Sequence, residues 1–117
     1  MGDEATERLT IGSYNLDEML RVTHYLILAH AIDGKDDGPC SRLTVDQLAV
    51  IVRAMPANRY PDIIAYRFGI DGMRTHTLEE TAKHCTPQVT RERVRQREAR
   101  ALEYLRARVI ETVNAAL

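Results

Sequence analysis

The sequence lacks several features that would place it in well-known classes of protein. It contains no run of 18 apolar residues, so we expect no membrane-spanning helix. Its first residues, MGDEATER, are acidic rather than basic, which argues against a secretory signal peptide. Its two cysteines, Cys40 and Cys85, indicate free thiols rather than a disulfide framework. Together these absences predict a protein of the reducing cytoplasm.

The sequence also lacks the motifs of common enzymes and metal sites. It has no glycine-rich phosphate-binding loop. His76, His84, Cys85 and Cys40 could be combined into a zinc site, but their spacing fits no strong ligand pattern. A Cys–His nucleophile pair would need an orienting third group and an oxyanion loop, and neither is evident. We therefore expect neither an enzyme nor a bound metal or cofactor.

What the chain does have is helical patterning and an uneven distribution of charge. A length of 117 residues suits one domain, and no alternating apolar run demands a sheet. We predict an all-α fold, a single small domain of five or six helices. The net charge is −1, yet residues 1–73 carry 7 basic and 11 acidic side chains, whereas residues 74–108 carry 9 basic and 5 acidic ones. This asymmetry suits a C-terminal half that faces DNA and an N-terminal half that contacts something else.

The stretch from residue 77 to residue 106 has the layout of a helix-turn-helix. Thr77 and Glu80 have the spacing of a capping box that starts a short helix. Pro87 lies in the break that follows, since proline cannot continue a helix interior. Thr90 then caps a second helix, which carries five arginines in its first ten positions. In a helix-turn-helix, this second helix enters the major groove of DNA.

Residues 1–45 are predicted to hold a loose leader and one helix of unknown role. Asn15 caps this helix, which runs from Leu16 to about Ala31. One apolar face is formed by Leu16, Met19, Leu20, Leu26 and Ile27. Because the second half of the helix is apolar nearly all round, we expect it to be buried on more than one side or covered by a partner.

Residues 46–117 are predicted to form the helix-turn-helix domain. Thr44 and Gln47 make a second capping box just ahead of its first helix. Pro61 suits the first turn of the next helix, which Gly69 ends. Apolar residues keep helical spacing beyond residue 106, so the last helix is expected to continue toward the C-terminus.

Several of these segments resemble a known family. HTLEETAKH followed by VTRERVRQREARALEYLR is similar to region 4 of the sigma-70 family of bacterial transcription initiation factors, and PDIIAYRFGIDG resembles the segment just before that motif. The likeness covers about residues 50–106. Two departures stand out: the turn is about two residues longer than in the family, and Arg97 replaces an aliphatic residue that packs the second helix.

The residue chemistry and the resemblance together give a predicted DNA interface. Arg91, Glu92 and Gln96 can pair with guanine, cytosine and adenine edges, and they lie near the start of the second helix. By resemblance, these three match the family's readers of the −35 promoter element, and Arg93 and Arg95 match residues near the phosphates. Further phosphate contacts are expected from Arg100 and, on the first helix, from Thr77 and Lys83.

The resemblance implies a DNA-binding transcription factor or an orphan sigma-like subunit. Its expected partners are double-stranded promoter DNA and bacterial RNA polymerase, at the flap of the β subunit, or a second sigma-like subunit. Complete sigma factors also melt promoter DNA with exposed aromatics, and this chain has no tryptophan and one phenylalanine. The alternative is a protein-interaction module that binds polymerase or a sigma factor and keeps the fold without reading DNA sequence.

Overall fold

The computed structural model describes residues 16–70, 72 and 74–116, and this part of the chain is all-helical. Five α-helices follow one another: α1 (Leu16–Asp33), α2 (Val45–Arg53), α3 (Pro61–Phe68), α4 (Leu78–His84) and α5 (Arg91–Ala115). Short 3-10 helices occur at Pro39–Arg42 and Ala57–Arg59. The predicted fold class is confirmed. In the described ranges, no helix combines the length and apolar character needed to cross a membrane.

The helix boundaries follow from capping chemistry that the sequence predicted. Thr44 and Gln47 form a complete capping box at α2, in which each side chain bonds the other residue's backbone N–H. Pro61 occupies the first turn of α3, and Gly69 ends that helix in the left-handed region at φ 65°. The cap predicted at Asn15 and the leader before it lie outside the described residues.

The main core is built around α5, the longest helix. Ala101, Leu105 and Val109 are fully buried on one side of it. They meet Leu28 of α1 and Ile64 of α3, both also fully buried, within one apolar cluster that includes α2. The buried residues of α1 therefore share one core with residues of α2, α3 and α5. This core extends across residue 45, where the sequence suggested a boundary between two segments.

The core covers one side of α1. Tyr25, Leu28 and Ile32 pack into the core, with His24 beside them. The buried Nδ1–H of His24 donates to the Gly69 carbonyl at 2.8 Å, which satisfies a polar group that would otherwise be costly to bury. The five residues that form the predicted apolar face of this helix lie on the exposed side. Within this chain the core therefore covers one side of α1 only, and the alternative that a partner covers the other side stays a prediction. The helix is apolar on two opposite faces, and periodicity alone does not choose between them.

Both cysteines are free, as predicted. Cys40 is buried at the start of the first 3-10 helix, where its backbone N–H donates to the Asp33 carboxylate at 3.1 Å. Burial, together with the nearby Asp33 carboxylate, raises the pKa of the Cys40 thiol to about 12. This cysteine is therefore a protonated core residue at neutral pH, and an unreactive one.

Candidate nucleic-acid interface

The turn between α4 and α5 is anchored at both ends. The Cys85 N–H donates to the Thr81 carbonyl at 3.1 Å, and the Val89 N–H donates to the Ala82 carbonyl at 3.3 Å. The three residues between these anchors, Thr86, Pro87 and Gln88, are exposed. These three residues therefore loop outward, and α4 and α5 remain in contact on either side of them.

A second apolar cluster sets the orientation of α5 at its N-terminal end. Val94 is fully buried there against Ile63 of α3 and Ala82 of α4, with Val89 packed beside them. The Thr90 hydroxyl accepts the Arg93 backbone N–H at 3.1 Å and so caps the helix, as predicted. Because Val94 points inward, the opposite face of the first three turns points to solvent.

Every residue predicted to contact DNA is exposed in the structure. On α5 these are Arg91, Glu92, Arg93, Arg95, Gln96 and Arg100, and around α4 they are Thr77 and Lys83. The Thr77 hydroxyl also accepts the Glu80 N–H at 3.0 Å as the α4 cap, while Glu80 accepts the Thr77 N–H at 2.9 Å. A hydroxyl that accepts one bond still has its own proton to donate, so capping leaves Thr77 able to contact a phosphate.

The structure brings three of these residues into one hydrogen-bonded network. Arg95 donates two bonds to the Glu92 carboxylate, at 2.9 Å from Nε and 2.7 Å from Nη2, and Gln96 Nε2 donates to it at 3.4 Å. The bonds from Arg95 lower the pKa of Glu92, and the same bonds raise the pKa of Arg95. Glu92 is therefore an ionised acceptor. Its hydrogen bonds from Arg95 and Gln96 must break before its carboxylate can accept a bond from a DNA base.

A bidentate ion pair between α3 and α5 was not foreseen from the sequence. Arg67 binds the Glu98 carboxylate through Nε and, at 3.3 Å, through Nη2. Its Nη1 donates to the His76 carbonyl at 2.6 Å, just ahead of α4. One guanidinium thus ties together α3, α5 and the entry to α4. The available signal was spacing: Glu98 lies four residues after Val94 and three before Ala101, so this acid falls on the apolar side of the arginine-rich helix.

The Arg97 side chain, expected from the resemblance to replace an aliphatic residue, contacts an aromatic ring. The Arg97 guanidinium carbon lies 5.3 Å from the centre of the Tyr60 ring, a cation–π distance. Tyr60 in turn packs against the cluster that holds Val94. The half-buried Arg97 side chain therefore places its guanidinium over a ring at the edge of this cluster.

The segment before α4 is fixed by a stack of three rings. The Tyr66 ring lies between His76, at 3.7 Å, and His84, at 3.9 Å, with interplanar angles of 7°. The Nδ1–H of His76 also donates to the Tyr66 carbonyl at 2.8 Å. These contacts hold α4 against α3. Within the described ranges, no group of three or more His, Cys, Asp or Glu residues is arranged to hold a metal ion.

The arrangement of α4, the anchored turn and α5 defines a helix-turn-helix. Residues 59–107, which include α4, the turn and α5 as far as Ala107, match the family model described as Sigma-70, region 4. This segment of the chain is therefore similar to sigma-70 region 4, and the resemblance inferred from the sequence is confirmed.

Proteins similar to this chain include bacterial RNA polymerase sigma factors. The RNA polymerase sigma factor SigA of Clostridium acetobutylicum is 41% identical over 70 residues, which cover 60% of this chain and 18% of the relative. The protein of the same name from Lactococcus lactis subsp. cremoris is 47% identical over 49 residues, or 42% of this chain and 13% of the relative. The chain thus spans less than a fifth of the length of these relatives. No solved structure gives a significant match.

Proposed function

We propose that this protein binds double-stranded promoter DNA through α5 and acts in transcription as a sigma-like subunit or regulator. The observation that supports the proposal is that all six predicted α5 contacts are exposed over the first three turns, with Glu92 and Gln96 on the side opposite buried Val94. A helix presented in this way can lie in a major groove, which is wide enough to admit it.

The proposed roles follow from side-chain chemistry. Arg91 and Gln96 can each make two bonds to a purine edge, and Glu92 can accept from the amino group of cytosine. Arg93, Arg95 and Arg100 supply positive charge for the phosphates, and Thr77 and Lys83 add contacts from the α4 side. When Arg95 moves to a phosphate, the Glu92 carboxylate is released from its internal bonds and becomes available to a base.

The expected partners follow from the similar proteins. The relatives are named as RNA polymerase sigma factors, which supports a role for this chain at the polymerase, with the −35 promoter element and the β flap as the expected targets. A second sigma-like subunit is the other protein partner that we propose. A cytoplasmic location is part of the same proposal.

Selection from a pool of randomised DNA duplexes, followed by binding measurements at several salt concentrations, tests the DNA-binding part. We expect a defined sequence to be enriched and its affinity to fall steeply as salt rises, because bound phosphates release counterions. Arg93→Ala should lower the slope of log K against log salt by about one. Arg108→Ala is the matched control, since Arg108 is an exposed arginine on the same helix that pairs with Glu111.

The control should leave the slope and the selected sequence unchanged. If no duplex is bound at low salt while the protein still binds purified RNA polymerase, the proposal that α5 reads DNA is wrong. The alternative, a protein-interaction module, is then correct. If neither binds, the proposed function fails altogether.

A further inference from the structure

The exposed face at the start of α5 has an acid near its centre and arginines on its two flanks. An α-helix turns about 100° per residue, so Glu92 and Gln96 lie within about 20° of the direction opposite buried Val94. Arg95 lies about 100° from Val94 on one flank, and Arg93 lies about 100° from it on the other. The centre of the face therefore carries a negative charge, and positive charges lie along both sides.

This arrangement matches the two kinds of surface in a major groove. The centre of a helix that lies in the groove faces the base edges, and its flanks face the phosphates of the two strands. Glu92 is thus placed to meet a base, and Arg95 is placed to meet a phosphate. In the structure, however, Arg95 donates to both carboxylate oxygens of Glu92, at 2.9 Å and 2.7 Å. These bonds draw its guanidinium from the flank toward the centre of the face.

The base that faces Glu92 determines whether these bonds break. Cytosine presents an amino group, which can donate to the carboxylate in place of Arg95. Guanine and thymine present acceptor atoms, which repel an ionised carboxylate that has lost its partner. Both side chains are more than half exposed, and an exposed ion pair contributes little to stability, so a replacement donor is enough to break it. Without that donor, Arg95 stays with Glu92 and off the phosphate.

We propose that Arg95 contacts a phosphate only when Glu92 accepts a bond from a base, so that this backbone contact depends on the DNA sequence. The inference rests on the proposed function, since it requires α5 to lie in a major groove. It deepens that function by giving Arg95 a part in specificity. Phosphate contacts usually position a protein without carrying sequence information. Here the bond to Glu92 makes one such contact conditional on the base.

Binding measured at several salt concentrations tests the proposal. One probe is the duplex selected from the randomised pool. The other differs from it at a single base pair, the one at which Glu92→Ala loses discrimination. The slope of log K against log salt reports the number of bound phosphates, at about 0.9 for each. We expect the wild type to have a slope that is steeper by about 0.9 on the selected duplex than on the altered one.

Three variants separate this coupling from a simple charge effect. Glu92→Ala releases Arg95 on every duplex, so its two slopes should be equal, and it should bind the altered duplex about threefold more tightly than the wild type does. Arg95→Ala should lower the slope on the selected duplex alone, by about 0.9. Arg93→Ala is the matched control, because Arg93 lies on the opposite flank and outside the hydrogen-bonded network. It should lower both slopes equally. All three positions are exposed, so circular dichroism is expected to show folded variants.

Three results would overturn the proposal while leaving DNA binding intact. The first is equal slopes for the wild type on the two duplexes, and the second is a slope difference that remains in Glu92→Ala. The third is that Arg95→Ala loses discrimination at a base pair of its own, because Arg95 would then read a base. If the protein binds no duplex, or if Glu92→Ala discriminates at every base pair as the wild type does, the failure lies in the proposed function and this inference fails with it.

Discussion

The ion pair between Arg67 and Glu98 makes the sharpest prediction about stability. Replacing Arg67 with methionine keeps most of the stem but leaves the Glu98 carboxylate, whose side chain is only 14% exposed, without its bidentate partner. It also removes the donor to the His76 carbonyl. Breaking a fully buried pair in this way costs about 3–5 kcal/mol. Since Arg67 is itself 22% exposed, water offsets part of that loss, and we expect Arg67→Met to cost about 2–3 kcal/mol.

Urea and thermal unfolding, followed by far-UV circular dichroism, measure this loss. For a chain of this size, 2–3 kcal/mol corresponds to a fall in the unfolding midpoint of roughly 10 °C. Glu98→Leu should cost less, because the guanidinium that remains still bonds the His76 carbonyl and can reach water. The double variant, Arg67→Met with Glu98→Leu, should be more stable than the sum of the two losses predicts, with a coupling of about 1–2 kcal/mol. Strictly additive losses, or an Arg67→Met variant as stable as the wild type, would refute this reasoning.

Three further predictions concern single residues, and the same unfolding measurements check them. Leu105→Ala removes a fully buried side chain from the main core and should cost about 2–5 kcal/mol; a loss below about 1 kcal/mol would show that α5 is not central to the core. Thr90→Ala removes the α5 cap and should cost about 1 kcal/mol, whereas Thr90→Ser should be nearly neutral; equal losses would show that the hydroxyl does not cap. In the folded state, the hydrogen bond from the Thr77 backbone N–H, together with the one from Arg74, lowers the pKa of the Glu80 carboxyl. The stability that the ionised Glu80 contributes is therefore fully present above the ordinary glutamate pKa of about 4.3. It is lost as the pH falls through the lower pKa that Glu80 has in the folded state. Glu80→Gln keeps the acceptor and should lose less stability than the wild type between pH 7 and pH 3; identical pH profiles would contradict this.

Features that depend on a few neighbouring residues could be predicted from the sequence. The capping boxes at Thr44 and Thr77 join residues three apart, so their chemistry is visible in the order of amino acids. The exposure of the predicted reading residues follows equally locally, because burial of Val94 fixes which face of α5 points outward. Rules that relate residues close together in the sequence were sufficient to predict these features.

Features that depend on distant residues could not be predicted in this way. Arg67 and Glu98 are 31 positions apart, and no spacing rule links them. The buried face of α1 is set by what α2, α3 and α5 present to it, and the sequence of α1 offered two apolar faces of similar character. The contact between Arg97 and the Tyr60 ring also joins residues 37 positions apart, so the sequence around Arg97 does not indicate it.

The central claim is that the exposed first turns of α5 read DNA sequence. Its most direct test is to measure the binding of wild type and Gln96→Ala to a selected duplex and to each single-base-pair variant of it. We predict that the wild type loses about 1–3 kcal/mol of binding free energy at the base pair that Gln96 contacts, and that Gln96→Ala loses discrimination at that position alone. If the wild type binds all the duplexes equally, or if Gln96→Ala discriminates among them as the wild type does, α5 does not read sequence as proposed.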